Sequence, residues 1–585
     1  MLPVWNLSDL YTGTDDPRVA SDLKRLKTGC CDFARRFKGK TALLEPAEFG
    51  QALQFYEALC ELDGRLSSYA QLLQAENISD EHSARFAQEI REKSAEAGAE
   101  ILFFPLETAA LNDLETARLL SDETVARYRP YLENLRLYRP HNLNQDVEQI
   151  LMEKDTVSNS AFVRVFDETM AAVSVPIRDE KLTLTQALNL FNSADRELRR
   201  EAGAATAAEL NARLPLITLT YNTLVKDKQL EDKWRRYETP ASFRHLSNRL
   251  EPEVVEAMTG AVRESYASTA HRYYRLKAKW LKLDRLEHFD RNAPAFPHVR
   301  ERTYTWDEAV ETVSGAYRGF SETFYETALP FFEQGWIDAA PRPGKAQGAF
   351  AHSTVPSVHP YLLMSFLGKT RDVMTLAHEL GHGIHQRLSA RQGYLMAHSP
   401  LTFAETASVF GEMLTFRALL DQEKDPEIRR MLTAQKVEDM INTVVRQTAF
   451  HQFETTVHNE RRNGELSSGR LAEIWHTVQQ ESLGDAFRFT PEYDPYWSYI
   501  SHFFHSPFYV YAYAFGDCLV NALYTVYQET DDKAGFVEKY THMLTLGGTQ
   551  THRDMLAPFG LDATDRNFWK KGLKVLEDFI DELEE

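Results

Sequence analysis

Two histidines four residues apart, with a glutamate directly after the first, are the side chains here best spaced for chemistry: His378-Glu379-Leu380-Gly381-His382. On an α-helix, positions i and i+4 project from one face a turn apart, so both imidazoles can reach one metal ion at about 2.0–2.1 Å. Glu379 then lies close to a metal-activated water without being a ligand itself. A carboxylate so placed can take a proton as water attacks a carbonyl and pass it to the leaving amine. The chain has 19 histidines, and such a pattern arises by chance in roughly a few per cent of comparable sequences, so its context matters. Gly381 adds to that context. It is a poor helix former by about 1 kcal/mol, and facing inward it suggests the close approach of another element.

A catalytic metal usually takes a third protein ligand and keeps a fourth position open. A third histidine six residues after His382 is absent, since Leu388 stands there. His385 is a turn further along and reads as a packing residue or a support to the ligands. Carboxylates follow at Glu405 and Glu412, seven apart and hence two turns apart on one helical face. Thr402-x-x-Glu405 is also a capping-box pattern, in which the glutamate folds back onto the N-cap amide; spacing alone leaves both readings open. Glu412, flanked by Phe410, Met413 and Leu414, reads as half-buried and in need of a partner, such as a ligating histidine. A second group is His502-Phe-Phe-His505-Ser-Pro507-Phe-Tyr509-Val-Tyr511-Ala-Tyr513. With Pro507 at a helix start, Tyr509 and Tyr513 share a face. Imidazole and phenol donors there could stabilise an oxyanion, or the aromatic residues could simply pack a core.

The elements that must position these groups read mostly as helix. Apolar residues recur at three-and-four spacing through 46–76, 81–117, 186–211 and 251–284. Before the motif, β character is confined to residues 170–184, where Val173, Val175 and Ile177 alternate with smaller or polar residues. Glycine and proline crowd 340–368, which reads as loops around one or two strands, including the run Tyr361–Phe366. A helix is expected from Thr370, as N-cap, to about Arg391, with Gly393 as its stop signal. A boundary near 195 suggests a helical N-terminal lobe, 1–195, and a catalytic region, 196–585.

Composition excludes several classes. Lys and Arg total 66 against 86 Asp and Glu, a net charge of −20, which argues against generic nucleic-acid binding. No stretch of eighteen residues is apolar enough for a membrane span. The opening residues lack a basic segment followed by an apolar run, so no secretory signal is expected. Four cysteines, two of them adjacent, form no disulfide framework. Together these features suggest a reducing cytoplasm.

Several segments resemble the oligoendopeptidase F family, relatives of thimet oligopeptidase. They are Trp5-Asn-Leu-Ser-Asp-Leu-Tyr11, Ser193-Ala-Asp195-Arg196-Glu-Leu-Arg199, Gly335-Trp-Ile-Asp338 with Gly344-Lys345 and Gly348-Ala-Phe350, the motif through His385, and Phe403-Ala-Glu405. The resemblance spans essentially the whole chain. It implies one Zn2+ held by His378, His382 and Glu405, with Glu379 as general base and Glu412 supporting the ligands. The family's histidine and tyrosine donors map onto His502, Tyr511 and Tyr513, with Tyr509 as a competitor. The implied fold is mostly α, with two helical lobes flanking a deep substrate channel and a small antiparallel sheet beside the zinc. The strand near Tyr361–Phe366 would then run along the bound peptide. The implied activity is endopeptidase cleavage of short, unfolded oligopeptides, with no nucleic-acid or membrane partner. A related zinc carboxypeptidase or dipeptidyl carboxypeptidase, or a peptide-binding protein without turnover, are the competing readings. Manganese or cobalt in place of zinc is compatible with the same ligands.

Overall fold

The computed structural model describes residues 2–300 and 302–585. It is mostly helical with two small sheets, as the three-and-four periodicity predicts. Residues 46–76 form one helix, Pro46–Glu76, with Pro46 in the first turn, where no backbone donor is needed. The stretch 81–117 divides into Glu81–Ile101, Phe103–Ala110 and Asp113–Leu119. Likewise 251–284 divides into Pro252–Glu264 and Ala270–Trp280. Short breaks that keep the same face inward leave apolar spacing intact, so periodicity runs through them. The 186–211 run mostly belongs to a 40-residue helix, Arg196–Arg235, capped by the Asp195 carboxylate on the Glu197 and Leu198 amides. No described helix is long and apolar enough to cross a membrane.

The chain forms two compact units, each drawn from three segments. The second comprises Pro140–Arg300, Glu423–Gln528 and Gly560–Glu585. It holds a hairpin of β1, Ser174–Ile177, and β2, Glu180–Thr183, with Val175 and Ile177 turned inward as their alternation requires. Its core is strongly aromatic, built on Phe166, Tyr221, Phe453, Trp475, Trp497 and Phe503.

The first unit comprises Met1–Arg139, Glu301–Gln422 and Glu529–Phe559. Within it, β3 (Ile337–Asp338), β4 (Phe350–His352) and β5 (Tyr361–Leu363) form a sheet in the order β3-β5-β4. The expected antiparallel pairing holds for β4 with β5, while β3 adds to β5 in parallel, so the sheet is mixed. The expectation that the Tyr361–Phe366 strand runs along a bound peptide is corrected here. β5 is the central strand, buried at every residue and hydrogen-bonded on both sides, so its main chain has no edge to offer. The edges of the sheet are β3 and β4.

A buried ion pair ties this sheet together. The Lys345 ammonium donates to Asp338 Oδ1 at 2.8 Å and to the carbonyls of Asp338, Ala340 and Met364. Arg342 grips the same carboxylate, Nη2 to Oδ2 at 2.6 Å. Asp338 is fully buried and Lys345 nearly so. Removing one member strands the other charge in a low-dielectric interior, at a cost of about 3–5 kcal/mol. Asp338→Asn should therefore lower the first midpoint of denaturant unfolding clearly, whereas substituting the exposed partner in a surface pair such as Lys27–Glu96 should barely move it.

Candidate metal centre

The motif lies within the helix Thr370–Ser389. Its start differs by one residue from expectation: Lys369 is the N-cap and Thr370 the first helical residue. The reason is Asp372, whose carboxylate reaches back to accept from the Lys369 and Leu367 amides at 3.0 and 2.7 Å. The helix continues as a 3-10 turn, Ala390–Gln392, and stops at Gly393, which takes the left-handed φ of +84°. Val373, Leu376, Ala377, Leu380, Gly381 and Ile384 make the buried stripe. His378 and His382 flank it at half-buried positions.

Gly381 faces the helix Thr406–Gln422. A Cβ there would stand 2.5 Å from the Ala407 carbonyl oxygen and 2.6 Å from the Ser408 Cα. Only glycine permits that crossing, and the crossing brings the start of the second helix alongside the motif. Tyr540 holds that start from behind, its hydroxyl donating to the Thr406 carbonyl at 2.7 Å.

Glu405 sits where the short helix Leu401–Ala404 meets the longer one. The capping-box alternative is excluded by this placement. Pro400 is the N-cap, Thr402 lies inside the turn, and its buried hydroxyl has no hydrogen-bond partner. Glu405 instead turns its carboxylate to the histidines, with Oε2 3.4 Å from His378 Nε2 and 3.5 Å from His382 Nε2. Ser408, a residue the sequence reading passed over, donates to the same oxygen at 2.8 Å. An i, i+3 Glu-Ser spacing was the available signal. His378, His382 and Glu405 each offer one donor atom, all within 4.8 Å of one another.

Glu412, two turns beyond, lies 3.2 Å from His378 Nδ1. With the ring neutral, as a metal ligand must be, its carboxylate makes Nδ1 the donor and leaves the Nε2 lone pair directed at the cluster. The Glu379 carboxylate is mostly buried and accepts from the Ala351 amide of β4. Burial pushes its pKa up to about 7, against the pull of His378. Burial opposes protonation of His378, yet Glu412, Glu405 and Glu379 raise its pKa to about 9. His382 is moved the other way, to about 4, by burial. Three carboxylates around two imidazoles create a demand for positive charge at this point. Two imidazole nitrogens and one carboxylate oxygen suit a zinc ion in coordination type and number, with a position left for water.

His385 stands apart from the cluster. It is buried, and its Nε2 pairs with Ser399 Oγ at 3.0 Å.

In the second unit, the residues expected as donors divide. His502 Nε2 lies 3.2 Å from the Tyr513 hydroxyl, the Tyr509 ring is 5.8 Å from that of His502, and all three line one open pocket with Ser501, His505 and Ser506. Burial, then His505 and Arg446, lower the His502 pKa, favouring the neutral imidazole. Tyr511 does not join them. It is fully buried, its hydroxyl accepting from Asn248 Nδ2 at 2.8 Å and lying 3.1 Å from His245 Nδ1. The physical reason is helical phase: the helix begins at Tyr511 rather than Pro507, and residues two apart point about 200° away from each other. Pro507 lies in the turn before it. There Phe508 adopts a left-handed φ of +60°, its amide held by the buried Glu454 carboxylate at 2.8 Å. Glu454 gave no sign of this role in the sequence, since its partner is 54 residues away.

A mostly helical fold carrying a His-Glu-x-x-His helix and a third carboxylate defines the metallopeptidase class. Comparison with known proteins makes this specific: the chain belongs to peptidase family M3, whose model matches residues 189–575, and the model for oligopeptidase F matches residues 107–174. Oligopeptidase PepF of Bacillus subtilis is 25% identical over 595 residues, covering 99% of this chain and 87% of that protein. Group B oligopeptidase PepB of Streptococcus agalactiae is also 25% identical, covering 99% and 96%. Among solved structures, oligoendopeptidase-F from Enterococcus faecium superposes with a TM-score of 0.71 at 20% identity, covering 97% of each chain. These findings agree with the resemblance drawn from the motifs.

The crossing at Gly381 yields a direct test. Gly381→Ala should separate the two helices, cost about 1–3 kcal/mol, and weaken metal retention during dialysis against a competing chelator. Metal content equal to that of the unaltered protein would mean that this approach does not set the Glu405 position.

Proposed function

We propose that this protein is a zinc-dependent endopeptidase that cleaves internal bonds of short, unfolded oligopeptides in the cytoplasm. The observation that carries the reading is the His378–His382–Glu405 cluster with Glu379 beside it, in a chain of peptidase family M3. A zinc ion held by those three residues would supply the acidification of water and the polarisation of the scissile carbonyl. Glu379 accepts the proton of the attacking water and delivers it to the departing amine. Its burial, which raises its pKa, suits a group that both takes and gives a proton. Glu412 keeps His378 in the ligating tautomer, and Ser408 holds the Glu405 carboxylate in place. The resemblance to the family assigns the oxyanion donors to the His502–Tyr513 segment; within it Tyr513 pairs with His502 at 3.2 Å, with Tyr509 beside them, while Tyr511 is a core residue. The names of the relatives support oligopeptides as substrates, and no nucleic-acid or membrane partner is invoked.

Digestion of a mixed library of peptides blocked at both ends, read by mass spectrometry with and without chelator, tests the function. Internal cleavage that disappears on chelation is expected; cleavage only of peptides with free ends would make the enzyme an exopeptidase. Glu379→Gln should retain zinc and lose about 10²–10⁴ in kcat, and substantial remaining turnover would remove Glu379 from the base role. Glu405→Ala should lower bound zinc; a full complement of metal would transfer the ligand role to Glu412.

The two tyrosines make opposite predictions. Tyr513→Phe should reduce kcat by about 10²–10³ while stability is little changed. Tyr511→Phe leaves Asn248 and His245 without their buried partner and should cost about 1–3 kcal/mol of stability, read as a lower Tm.

A further inference from the structure

The face of the motif helix beyond His382 borders a cavity of about 320 Å³. It begins at His382, runs along Gln386, Arg387 and Ser389, and is walled by the loop 353–360 and by Ala397–Ser399. A volume of this size holds one or two amino-acid side chains. In a protein of net charge −20, its charge pattern runs against the average: no Asp or Glu lines it, and Arg387 is its one permanently charged residue.

Arg387 pairs with no carboxylate among the described residues. Its Nη1 donates to the Thr327 carbonyl at 2.7 Å, and the guanidinium carbon stands 5.1 Å from the Trp336 ring centre. Among the described residues no other hydrogen bond from it is seen, which leaves most of its five N–H donors without a protein acceptor there. It is half-buried, and burial shifts its pKa downward with no carboxylate opposing the shift. His359, also on the cavity wall, already has a carboxylate, Asp9, at 3.0 Å, so it is Arg387 that lacks one.

We propose that this cavity is a carboxylate-binding pocket for the peptide substrate, with Arg387 as the group that pairs with the carboxylate. The proposal rests on the peptidase reading above and deepens it. The guanidinium fork matches a carboxylate in bidentate fashion, and the Trp336 ring lies against it. Five residues separate Arg387 from His382, about 7–8 Å along the helix axis. The two are also about 140° apart around that axis, and an extended peptide advances about 3.3 Å per residue, so the recognised carboxylate lies at least two residues from the cut bond. An acidic side chain and a peptide C-terminus present the same chemistry, and the experiment separates them.

Matched peptide pairs decide it. One series carries Asp or Glu against Asn or Gln at each position around the cut; the other has a free against an amidated C-terminus. The readout is the acid-to-amide ratio of kcat/KM within each protein, so a general loss of activity cancels. The unaltered enzyme should favour the acid member about tenfold at one side-chain position, or at the C-terminus. Arg387→Gln should bring that ratio near one, and Arg387→Lys should keep part of it. A ratio near one in the unaltered enzyme, or one unchanged by Arg387→Gln, overturns the proposal. Fluorescence anisotropy of the same labelled peptides, in an E379Q background with and without Arg387→Gln, reads the ratio without turnover. Arg387-dependent binding of acid peptides by a protein that cuts none would retain the pocket and fail the peptidase reading instead.

Discussion

Everything at the metal centre depends on how closely two helices cross. With only a hydrogen at Gly381, the backbone of Ala407 and Ser408 comes to a distance that no other residue permits. That contact brings a third candidate ligand to the two histidines, because Glu405 lies two residues before Ala407. The same approach brings Ser408 within hydrogen-bond reach of the Glu405 carboxylate and Glu412 within reach of His378. A glycine that weakens its own helix by about 1 kcal/mol thus allows the packing on which the site is built.

Electrostatics give the site its second property. Glu379, Glu405 and Glu412 surround two imidazoles in a mostly buried setting, and His378 is driven toward protonation as a result. A cation at the cluster neutralises that accumulated charge, which the interior would otherwise oppose. The sheet solves a like problem differently: Asp338 is buried, and Lys345 and Arg342 enclose it. Along the motif helix, then, carboxylates gather around the histidines and give way to an arginine one turn later.

The second unit shows how a local strain is sustained. Phe508 holds a positive φ, which costs a non-glycine residue of order 1–3 kcal/mol. The buried Glu454 carboxylate grips its amide, and the turn so held leads into the helix that carries Tyr513. Burial pushes the Glu454 pKa up to about 8.

Local spacing alone determined much of this protein. The i, i+4 histidines, the apolar stripe from Val373 to Ile384, the stop at Gly393, the helix 46–76 and the inward Val175 and Ile177 all follow from the period of a helix or strand. That period is a property of adjacent residues. Tertiary structure decided what lies beyond it. Whether Glu405 caps a helix or meets two imidazoles depended on Gly381 contacting residues 26 positions away. Which tyrosine faces a pocket depended on where a helix begins, and that start is set by a turn anchored at Glu454. The parallel pairing of β3 onto β5, which makes β5 a central strand, joins residues about 25 apart. Such contacts are chosen by packing across the fold, and nothing in the neighbouring residues encodes them.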